Sequence, residues 1–440
     1  MNPRPTIGLV SLAAPWFDTA AAQSYLDATR RWARADYDVV GPSELVFDRT
    51  GVEGAIAALR EAPGPVEALL LQIGTFPDGT APARLAEATG LPVVVHSLPE
   101  PSLTHDVPLN SLCGANMSTF TLSALRHPHS FVHADPADPA GAKRLAQHLR
   151  AAVTWRRLRG QRLTLLGFRA PGFYPCVFDE LLLRRRLGVA VEYLDLDAVR
   201  RRLDPAVRKP APHQRFPTIG GGELSPEAVG WLEAHYAALD AALADGSHDL
   251  VAIRDWPELE RFDPAIPGGL WPALGWVQDD GIDLAPEGDV NGAVTTRVAR
   301  SLSGDLPFFT DISAWDDEAT TLTLWHYGGA TGLARNPAEV RFADDGRGVE
   351  FTLKPGTGHL IRIGLRDGDL RMLSVGVEIL DQRVTLGRAA GLARTRTPAG
   401  EVVRHLLDDG WEHHFTLLYG ELDEAIRAFA KQAGLPLTEL

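Results

Sequence analysis

Short apolar runs alternate with helix-like stretches through the first third of the chain. Thr6–Leu12, Ala68–Ile73 and Pro92–His96 are apolar runs that predict buried strands, and Ala20–Ala35 has the residue spacing of a helix. Strands that alternate with helices favour a parallel sheet covered by helices. We therefore predict an N-terminal α/β domain over residues 1–150.

The same pattern begins again after residue 150. Strands are predicted at Arg162–Phe168, Val189–Leu194 and Leu250–Arg254, with helices at Asp179–Leu187 and Ala293–Leu302. The Pro- and Gly-rich segment Arg208–Gly222 predicts a long loop. Residues 151–304 thus form a second predicted α/β domain.

The pattern changes at about residue 305, where apolar and polar residues alternate over short stretches. The predicted strands are Thr321–Trp325, Val349–Leu353, His359–Ile363 and Asp369–Leu373, and the predicted turns include Asp344-Asp345-Gly346 and Asp367-Gly368. A last helix is predicted over Leu422–Ala433. The overall prediction is two Rossmann-like α/β domains with parallel sheets, followed over residues 305–440 by an antiparallel β-rich, barrel-like domain with a terminal helix.

Composition narrows the class of protein. The chain has 440 residues and a formal net charge of −14, which argues against a nucleic-acid surface or an anionic membrane as partner. No apolar run approaches the roughly 20 residues of a membrane span. The cysteines are Cys113 and Cys176, too few for a disulfide framework, so we expect a reducing, cytoplasmic location.

The segment Glu287-Gly288-Asp289 is the clearest candidate for chemistry. It joins a predicted strand to a predicted helix, where α/β proteins place ligands, and its carboxylates suit a divalent cation. The alternative is structural, with Asp289 capping the N-terminus of the next helix.

Other polar candidates follow predicted strands. They are Glu258 in Arg254-Asp255-Trp256-Pro257-Glu258, His326 at a strand end, and the pair His413-His414. Glu258 could instead belong to the first turn of a helix, and the histidines could be structural or surface residues. Because neighbouring strand residues point to opposite faces, we expect at most one histidine of the pair to serve a given site.

Carboxylates together with imidazoles form a mixed oxygen and nitrogen ligand set, which suits Mn²⁺, Co²⁺ or Fe²⁺ better than a thiolate zinc site. Tryptophans near the candidate motifs either pack in the core or stack on the C–H faces of a sugar. The sequence has no dinucleotide fingerprint, no phosphate-binding P-loop and no Gly-x-Ser-x-Gly elbow.

The order of these segments resembles the L-fucose isomerase and L-arabinose isomerase superfamily, most closely its shorter fucose-isomerase-like members. The segments that carry the resemblance are Ser111–Asn116, Arg254–Glu258 with Asp255 in place of Cys, Glu287–Ala293, Leu324–Ala330 with Tyr327 and Gly329 differing, and Gly410–Gly420.

The resemblance implies an aldose–ketose isomerase that works through a cis-enediol with Mn²⁺, or another divalent cation such as Co²⁺ or Mg²⁺. Carried over by position, Asp289 and His414 are expected metal ligands, and Glu258 is the expected ligand and base, with Glu287 as its rival. Substrate binding is expected from a further set: His326, which could also be a ligand like His413, and Trp256, Trp325 and Asn116.

The resemblance further implies a homo-oligomer, a trimer or hexamer, that acts on a monosaccharide. Fucose-type, arabinose-type and 6-substituted hexoses such as sulfoquinovose all remain open as substrates. A sugar-binding relative without catalysis, or a metal-dependent epimerase or aldolase on the same scaffold, is the alternative.

Overall fold

The chain forms two compact units in a computed structural model that describes residues 4–104, 106–210, 226–244, 248–258, 271–343 and 348–440. The first unit contains residues up to Arg159 together with Asp423–Leu435. The second contains Gly160–Leu422 together with Pro436–Leu440.

The first unit is built on a parallel sheet of five strands in the order β2-β1-β3-β4-β5. Its strands are β1 (Thr6–Leu12), β2 (Asp38–Val40), β3 (Val66–Ile73), β4 (Val93–Ser97) and β5 (His129–His133). Its helices are α1 (Thr19–Ala33), α2 (Arg49–Arg60), α3 (Thr80–Thr89), α4 (Ser111–Ala124) and α5 (Pro139–Leu158). This is the strand order of flavodoxin-like doubly wound folds.

The predicted strands and helix of this region are confirmed with small shifts in their ends. The central strand β3 is buried along most of its length, which explains its continuous apolar run. Strands β2 and β5 were not predicted, since β2 has three residues and β5 begins and ends with histidine. Side chains of Asp18, Asp48 and Asp138 cap the N-termini of α1, α2 and α5.

The second unit begins with a parallel sheet of four strands in the order β7-β6-β8-β9. The strands are β6 (Arg162–Leu166), β7 (Ala190–Leu194), β8 (Leu250–Ile253) and β9 (Asp283–Ala285). The helices are α6 (Glu180–Leu187), α7 (Asp197–Arg200), α8 (Pro226–Leu243), α9 (Trp271–Asp279) and α10 (Val290–Ser303). The prediction of a second parallel α/β region is therefore confirmed.

The rest of the second unit is a mostly antiparallel sheet of nine strands. They are β10 (Phe308–Asp316), β11 (Thr321–His326), β12 (Arg341–Phe342), β13 (Val349–Thr352), β14 (Gly356–Arg366), β15 (Asp369–Ile379), β16 (Ala389–Thr395), β17 (His414–Tyr419) and β18 (Leu437–Glu439). Because β15 also pairs with β16, the strands in the order β16-β11-β10-β17-β14-β15 close on themselves. The predicted barrel-like region is confirmed, and the helix α11 (Ala399–Asp408) precedes β17.

Helix α10 connects the two sheets of the second unit. It packs against β8 and β9 of the parallel sheet and against β14 and β17 of the barrel. Most of its residues are buried, including Asn291, Thr295 and Thr296. The N-terminus of α10 therefore brings the end of β9 close to the strands of the barrel.

The terminal helix α12 (Asp423–Ala433) lies in the first unit. The sequence had predicted it as part of the β-rich C-terminal region. Its buried face packs on α5, where the backbone N–H of Ala425 donates to Gln147 and Gln432 donates to Ser130 of β5. An amphipathic helix packs on whichever apolar surface is available, and sequence order alone does not specify it. The second α/β region and the barrel share one compact unit, so the separate domain boundary at residue 304 stays a prediction.

Two predicted features fall on residues outside the described part of the chain. They are most of the Arg208–Gly222 loop and the Asp344-Asp345-Gly346 turn. Among the described residues, no helix is both long enough and apolar enough to span a membrane.

Candidate active site

The candidate site lies at the carboxyl ends of the parallel strands in the second unit. Glu287 follows β9, and its backbone is tied to the segments that follow the neighbouring strands. The N–H of Ala170, after β6, donates to the Glu287 carbonyl at 3.2 Å, and the N–H of Gly288 donates to Ile253 at 2.8 Å. The N–H of Glu287 itself donates to a carboxylate oxygen of Asp255 at 2.6 Å. Asp255, where the resembling family has Cys, thus fixes the backbone of Glu287.

The backbone at this junction requires glycine at one position. Gly288 has a φ of +70°, and a Cβ there would lie 2.4 Å from the carbonyl oxygen of Phe168 and 2.6 Å from the Cα of Arg169. Glu287 and Phe168 also have positive φ values, of 60° and 73°. Residues with a Cβ rarely adopt this backbone conformation, so both positions are strained. Strained backbone of this kind is retained where the surrounding structure holds it, often at functional sites.

Asp289 is fully buried, and protein donors contact both of its carboxylate oxygens. It caps α10 by accepting from the N–H of Gly292 at 2.8 Å, which confirms the capping interpretation of the sequence. Arg362 from β14 donates to both oxygens, at 2.5 and 3.1 Å. Nδ1 of His414 lies 3.0 Å from Oδ2. Asp289 therefore positions other side chains, and its assignment as a metal ligand remains a prediction.

The contact with Asp289 orients the ring of His414. A carboxylate accepts hydrogen bonds, so Nδ1 of His414 carries a proton and donates it to Asp289. The other nitrogen, Nε2, then lies 3.1 Å from Oε2 of Glu287 and 3.8 Å from Oδ1 of Asp311. The buried ion pair of Arg362 and Asp289 thus directs Nε2 of His414 toward two further carboxylates.

Both histidines of the pair approach Glu287, which corrects the expectation that only one would serve a site. Nε2 of His413 lies 3.6 Å from Oε2 of Glu287, and the two imidazole rings are 3.8 Å apart. Strand alternation does not separate them because β17 begins at His414 and His413 precedes it. His413 is partly exposed, whereas His414 is buried.

Several buried polar atoms in this group make no well-oriented hydrogen bond with any described residue, although two of them, Oε2 of Glu287 and Nε2 of His414, lie only 3.1 Å apart. They are Oε2 of Glu287, Oδ1 of Asp311, Nε2 of His414 and Nδ1 of His326. Unsatisfied buried polar atoms are rare in proteins and indicate an ion, a water or a ligand. Ligand atoms of Cys176, Glu287 and His414 lie within 4.8 Å of one another, as do those of Asp311, His413 and His414.

The charges in this group shift the pKa values of its members. Burial raises the pKa of Glu287, but the adjacent His413 and His414 outweigh burial and hold that pKa below its ordinary value. Burial likewise opposes ionisation of Asp289, and the charge of Arg362 with the contact to His414 lowers its pKa. Burial raises the pKa of the Cys176 thiol to about 11, so Cys176 is a neutral thiol at pH 7. Carboxylate and imidazole atoms are therefore the stronger candidate ligands.

Aromatic rings line this group. The ring of Phe309 lies 4.5 Å from that of His414 and 5.1 Å from that of His326, measured between centroids. His326 is buried, and burial lowers its pKa, so the imidazole is neutral at pH 7. Phe173 connects His413 to Trp256, at 6.0 and 5.6 Å. The structure therefore places His326 next to His414 and Trp256 at the edge of the same group.

The remaining predicted site residues lie elsewhere or are engaged differently. Trp325 neighbours His326 on β11 and faces the other side of the strand, where its indole N–H donates to the carbonyl of Leu386 at 3.3 Å. Asn116 is exposed on α4 of the first unit. Glu258 forms an ion pair with Arg254, and its Oε2 is buried without a hydrogen-bond partner among the described residues.

Sequence reasoning missed Arg362, Asp311 and Cys176 as members of the site. Arg362 is buried and donates to Asp289. Asp311 follows the apolar residues Phe308 and Phe309 on β10, and it pairs across the sheet with His414. A carboxylate that ends an apolar run was the available signal, and the pairing of β10 with β17 was the information that the sequence lacked.

The known proteins that are similar to this chain belong to one class of enzyme. The chain is similar to the sulfoquinovose isomerase of Alkalicoccus urumqiensis, with 26% identity over 451 residues that cover 99% of each chain. It is 24% identical to the sulfoquinovose isomerase of Priestia aryabhattai over 98% of both chains. That of Clostridium sp. (strain MSTE9) is 26% identical over 82% of this chain and 83% of its own. No protein-family model matches the chain.

These relatives agree with the prediction of an isomerase and support a sugar as substrate. They do not confirm the resemblance to the L-fucose isomerase superfamily, which stays a resemblance.

Proposed function

We propose that this protein interconverts a 6-sulfonated aldose, sulfoquinovose, and its ketose, with a divalent cation held at the carboxyl edge of the four-stranded sheet. The observation that carries the proposal is the convergence of buried carboxylate and imidazole atoms of Glu287, Asp311 and His414, which make no well-oriented hydrogen bond with any described residue. The near full-length similarity to sulfoquinovose isomerases supports the choice of substrate.

Glu287 and His414 are the proposed metal ligands, with Asp311 beside them. Carboxylate oxygen and imidazole nitrogen are the donor types that Mn²⁺ or Co²⁺ accepts, and these atoms lie close enough together to share one ion, so the residues fit such a cation. Asp289 accepts from Nδ1 of His414, and Arg362 donates to Asp289. Such contacts orient ligand histidines in known metal sites. When bound, the cation would polarise the sugar carbonyl and stabilise negative charge that develops on the sugar oxygens.

Isomerisation also requires a proton to move between C1 and C2 of the sugar through a cis-enediol. Glu258 is the proposed base, as the sequence predicts. One of its carboxylate oxygens is held by Arg254, and the other is buried without a partner among the described residues. A carboxylate that is fixed at one oxygen and available at the other can accept a proton from carbon and return it. Glu287 remains the rival base.

The aromatic rings around the group would exclude water and present flat apolar faces. Phe173 and Trp256 lie next to His413, and Trp256 is partly exposed. Ring faces of this kind stack on the C–H faces of a sugar. Exclusion of water would protect the enediol from unwanted protonation.

The test is transfer of the C2 proton in deuterated water, followed by NMR. The purified protein would be stripped with a chelator, reloaded with Mn²⁺ and given sulfoquinovose or unsubstituted aldoses. We expect the ketose to form from sulfoquinovose with incorporation of deuterium, to stop after chelation and to resume with Mn²⁺.

Two other outcomes would replace the proposal. Exchange at C2 without ketose would indicate an epimerase. Sugar binding without exchange in the metal-loaded protein would indicate a non-catalytic sugar-binding protein. The homo-oligomer and the cytoplasmic location stay predictions.

A further inference from the structure

Arg169 lies in the loop that packs directly on the proposed metal ligand Glu287. The Cα of Arg169 faces Gly288 so closely that a Cβ on that glycine would lie 2.6 Å away. The next residue, Ala170, donates its N–H to the Glu287 carbonyl. The backbone of Arg169 is therefore held in place beside the site by contacts that do not involve its side chain.

The guanidinium of Arg169 has no carboxylate within 4 Å in the described part of the chain. Its one side-chain hydrogen bond there runs from Nη1 to the carbonyl of Phe173 at 3.2 Å. The guanidinium also lies over the rings of Tyr174, at 5.3 Å, and Phe168, at 6.0 Å. Arginine has five N–H donors, so most of the donors of Arg169 remain available to a ligand.

Two other arginines of the second unit that contact site residues are already paired with carboxylates. Arg362 is buried and donates to both oxygens of Asp289. Arg254 forms an ion pair with Glu258. Arg169 is partly exposed, and its positive charge is not neutralised by any described carboxylate.

The surroundings of Arg169 suit the far end of a substituted sugar. Tyr174 and Phe168 are 73% and 49% exposed, which leaves two apolar rings in solvent beside one cation. A sulfonate is a permanent anion with three oxygens, and the planar guanidinium matches such a group with parallel N–H bonds. The substituent on C6 lies at the opposite end of the carbon chain from C1 and C2, where the reaction occurs.

We propose that Arg169 binds the sulfonate of the substrate, with Phe168 and Tyr174 flanking it, and thereby selects 6-sulfonated sugars over unsubstituted ones. This inference rests on the proposed function. It assigns recognition of the anion to the loop after β6 and leaves the chemistry at C1 and C2 to Glu258, Glu287 and His414.

The test compares Arg169→Gln and Arg169→Lys with the matched control Arg184→Gln, an exposed arginine on α6. We expect Arg169→Gln to raise the KM for sulfoquinovose by roughly 10- to 100-fold, the range for a lost hydrogen-bonded charge, with a smaller change in kcat. Arg169→Lys keeps the charge and should recover part of the loss. Arg184→Gln should leave KM within about twofold of the wild type.

Two further readouts separate anion binding from a structural role. Metal content should be unchanged in Arg169→Gln, because Arg169 contacts no proposed ligand through its side chain. KM for sulfoquinovose should rise with salt in the wild type and less in Arg169→Gln, since salt screens the charge pair. A KM in Arg169→Gln equal to that of Arg184→Gln would overturn the inference.

A binding experiment tests Arg169 separately from the proposed function. If wild-type protein does not convert sulfoquinovose at all, calorimetric binding of sulfoquinovose to wild type and Arg169→Gln still tests Arg169. Equal affinities, or no binding to either protein, would overturn the inference in that case.

Discussion

The two parallel sheets share a strand order but differ in what lies at their carboxyl edges. The order β2-β1-β3-β4 in the first unit matches β7-β6-β8-β9 in the second. Both orders reverse at an inner strand pair, β1 with β3 and β6 with β8, where doubly wound sheets open a crevice. In the first unit a cavity of about 700 Å³ lies at this edge, lined by residues that include Trp16, Phe47 and Phe76.

Three polar side chains at the first edge are paired with nearby backbone. Thr75 exchanges hydrogen bonds with the backbone of Ala14, Asp48 caps α2, and Asp78 accepts from the N–H of Thr80. At the second edge, oxygens of Glu287 and Asp311 are buried without partners. Buried polar atoms without a partner occur near the first edge as well, at Ser11 and Gln72. Topology therefore supplies a crevice in both units, and the cluster of carboxylate and imidazole groups identifies the second as the candidate reactive site.

The largest expected effect comes from Glu287→Gln. Loss of the carboxylate should remove bound metal and lower kcat/KM by about a thousandfold or more, since a ligand and a stabilising charge disappear together. Metal content by mass spectrometry and turnover by NMR check this. The matched change Asp48→Asn at the first edge should leave both quantities unaltered. Retention of metal and turnover by Glu287→Gln would exclude Glu287 from the site and return attention to Glu258 and Asp289.

The next effect concerns buried charge. Arg362→Met removes the guanidinium that pairs with both oxygens of Asp289 and should lower the free energy of unfolding by about 3–5 kcal/mol. The double variant Arg362→Met, Asp289→Asn should recover part of that loss, because Asp289 is then neutral. Glu412, whose carboxylate lies 3.8 Å from Arg362, still loses its partner and keeps the recovery incomplete. In the first unit, Arg157→Met breaks a more exposed pair with Glu67 and should cost about 1 kcal/mol. Equal losses at the two sites, measured by urea unfolding, would contradict this comparison.

Backbone strain predicts a smaller difference within the second unit. Gly288→Ala introduces a Cβ that meets the backbone of Phe168 and Arg169, and it should lower the free energy of unfolding by more than about 2 kcal/mol. Gly172→Ala is the control, since Gly172 also has a positive φ but has open space around it, and it should cost only about 1 kcal/mol. Similar thermal unfolding of the two variants would show that the loop yields to the added methyl group.

The last expected effect is a pH dependence of the first unit, and it is small at any single pH near neutrality. Burial lowers the pKa of His96 to about 4 from an ordinary value of 6.5. Between these values the unfolded chain binds a proton that the folded chain does not, so stability falls as pH drops from 6.5 to 4, by at most about 1.4 kcal/mol per pH unit for one group. Urea unfolding of His96→Gln should show a shallower loss between pH 7 and pH 5, and an unchanged slope would contradict the assignment.

Asp289 in the second unit should respond in a lower pH range. The lowered pKa of Asp289 stabilises the folded state above pH 3.8, the ordinary pKa of its carboxyl group, and this stabilisation is lost as pH falls from there through the folded value. Asp289 therefore adds nothing to the loss of stability between pH 6.5 and pH 4.

The amino-acid sequence by itself determined the alternation of strands and helices and the presence of Glu287 and Asp289 at a strand–helix junction. Both follow from local rules, because buried parallel strands are continuous apolar runs and capping residues lie next to the helix they begin. It did not determine the weak strands β2 and β5, or β16, whose sequence Ala-Ala-Gly-Leu-Ala-Arg-Thr has little intrinsic preference for a strand.

Only the tertiary structure decided the roles of the polar residues. Asp289 contacts Arg362, which is 73 residues away in the sequence, and His414, which is 125 residues away. These contacts let Asp289 orient the ring of His414. The same contacts turn Nε2 of His414 toward Oε2 of Glu287. Arg169, in the loop beside them, has no carboxylate within 4 Å among the described residues. Burial and pairing depend on which distant strands meet, and the spacing of residues along the chain does not contain that information.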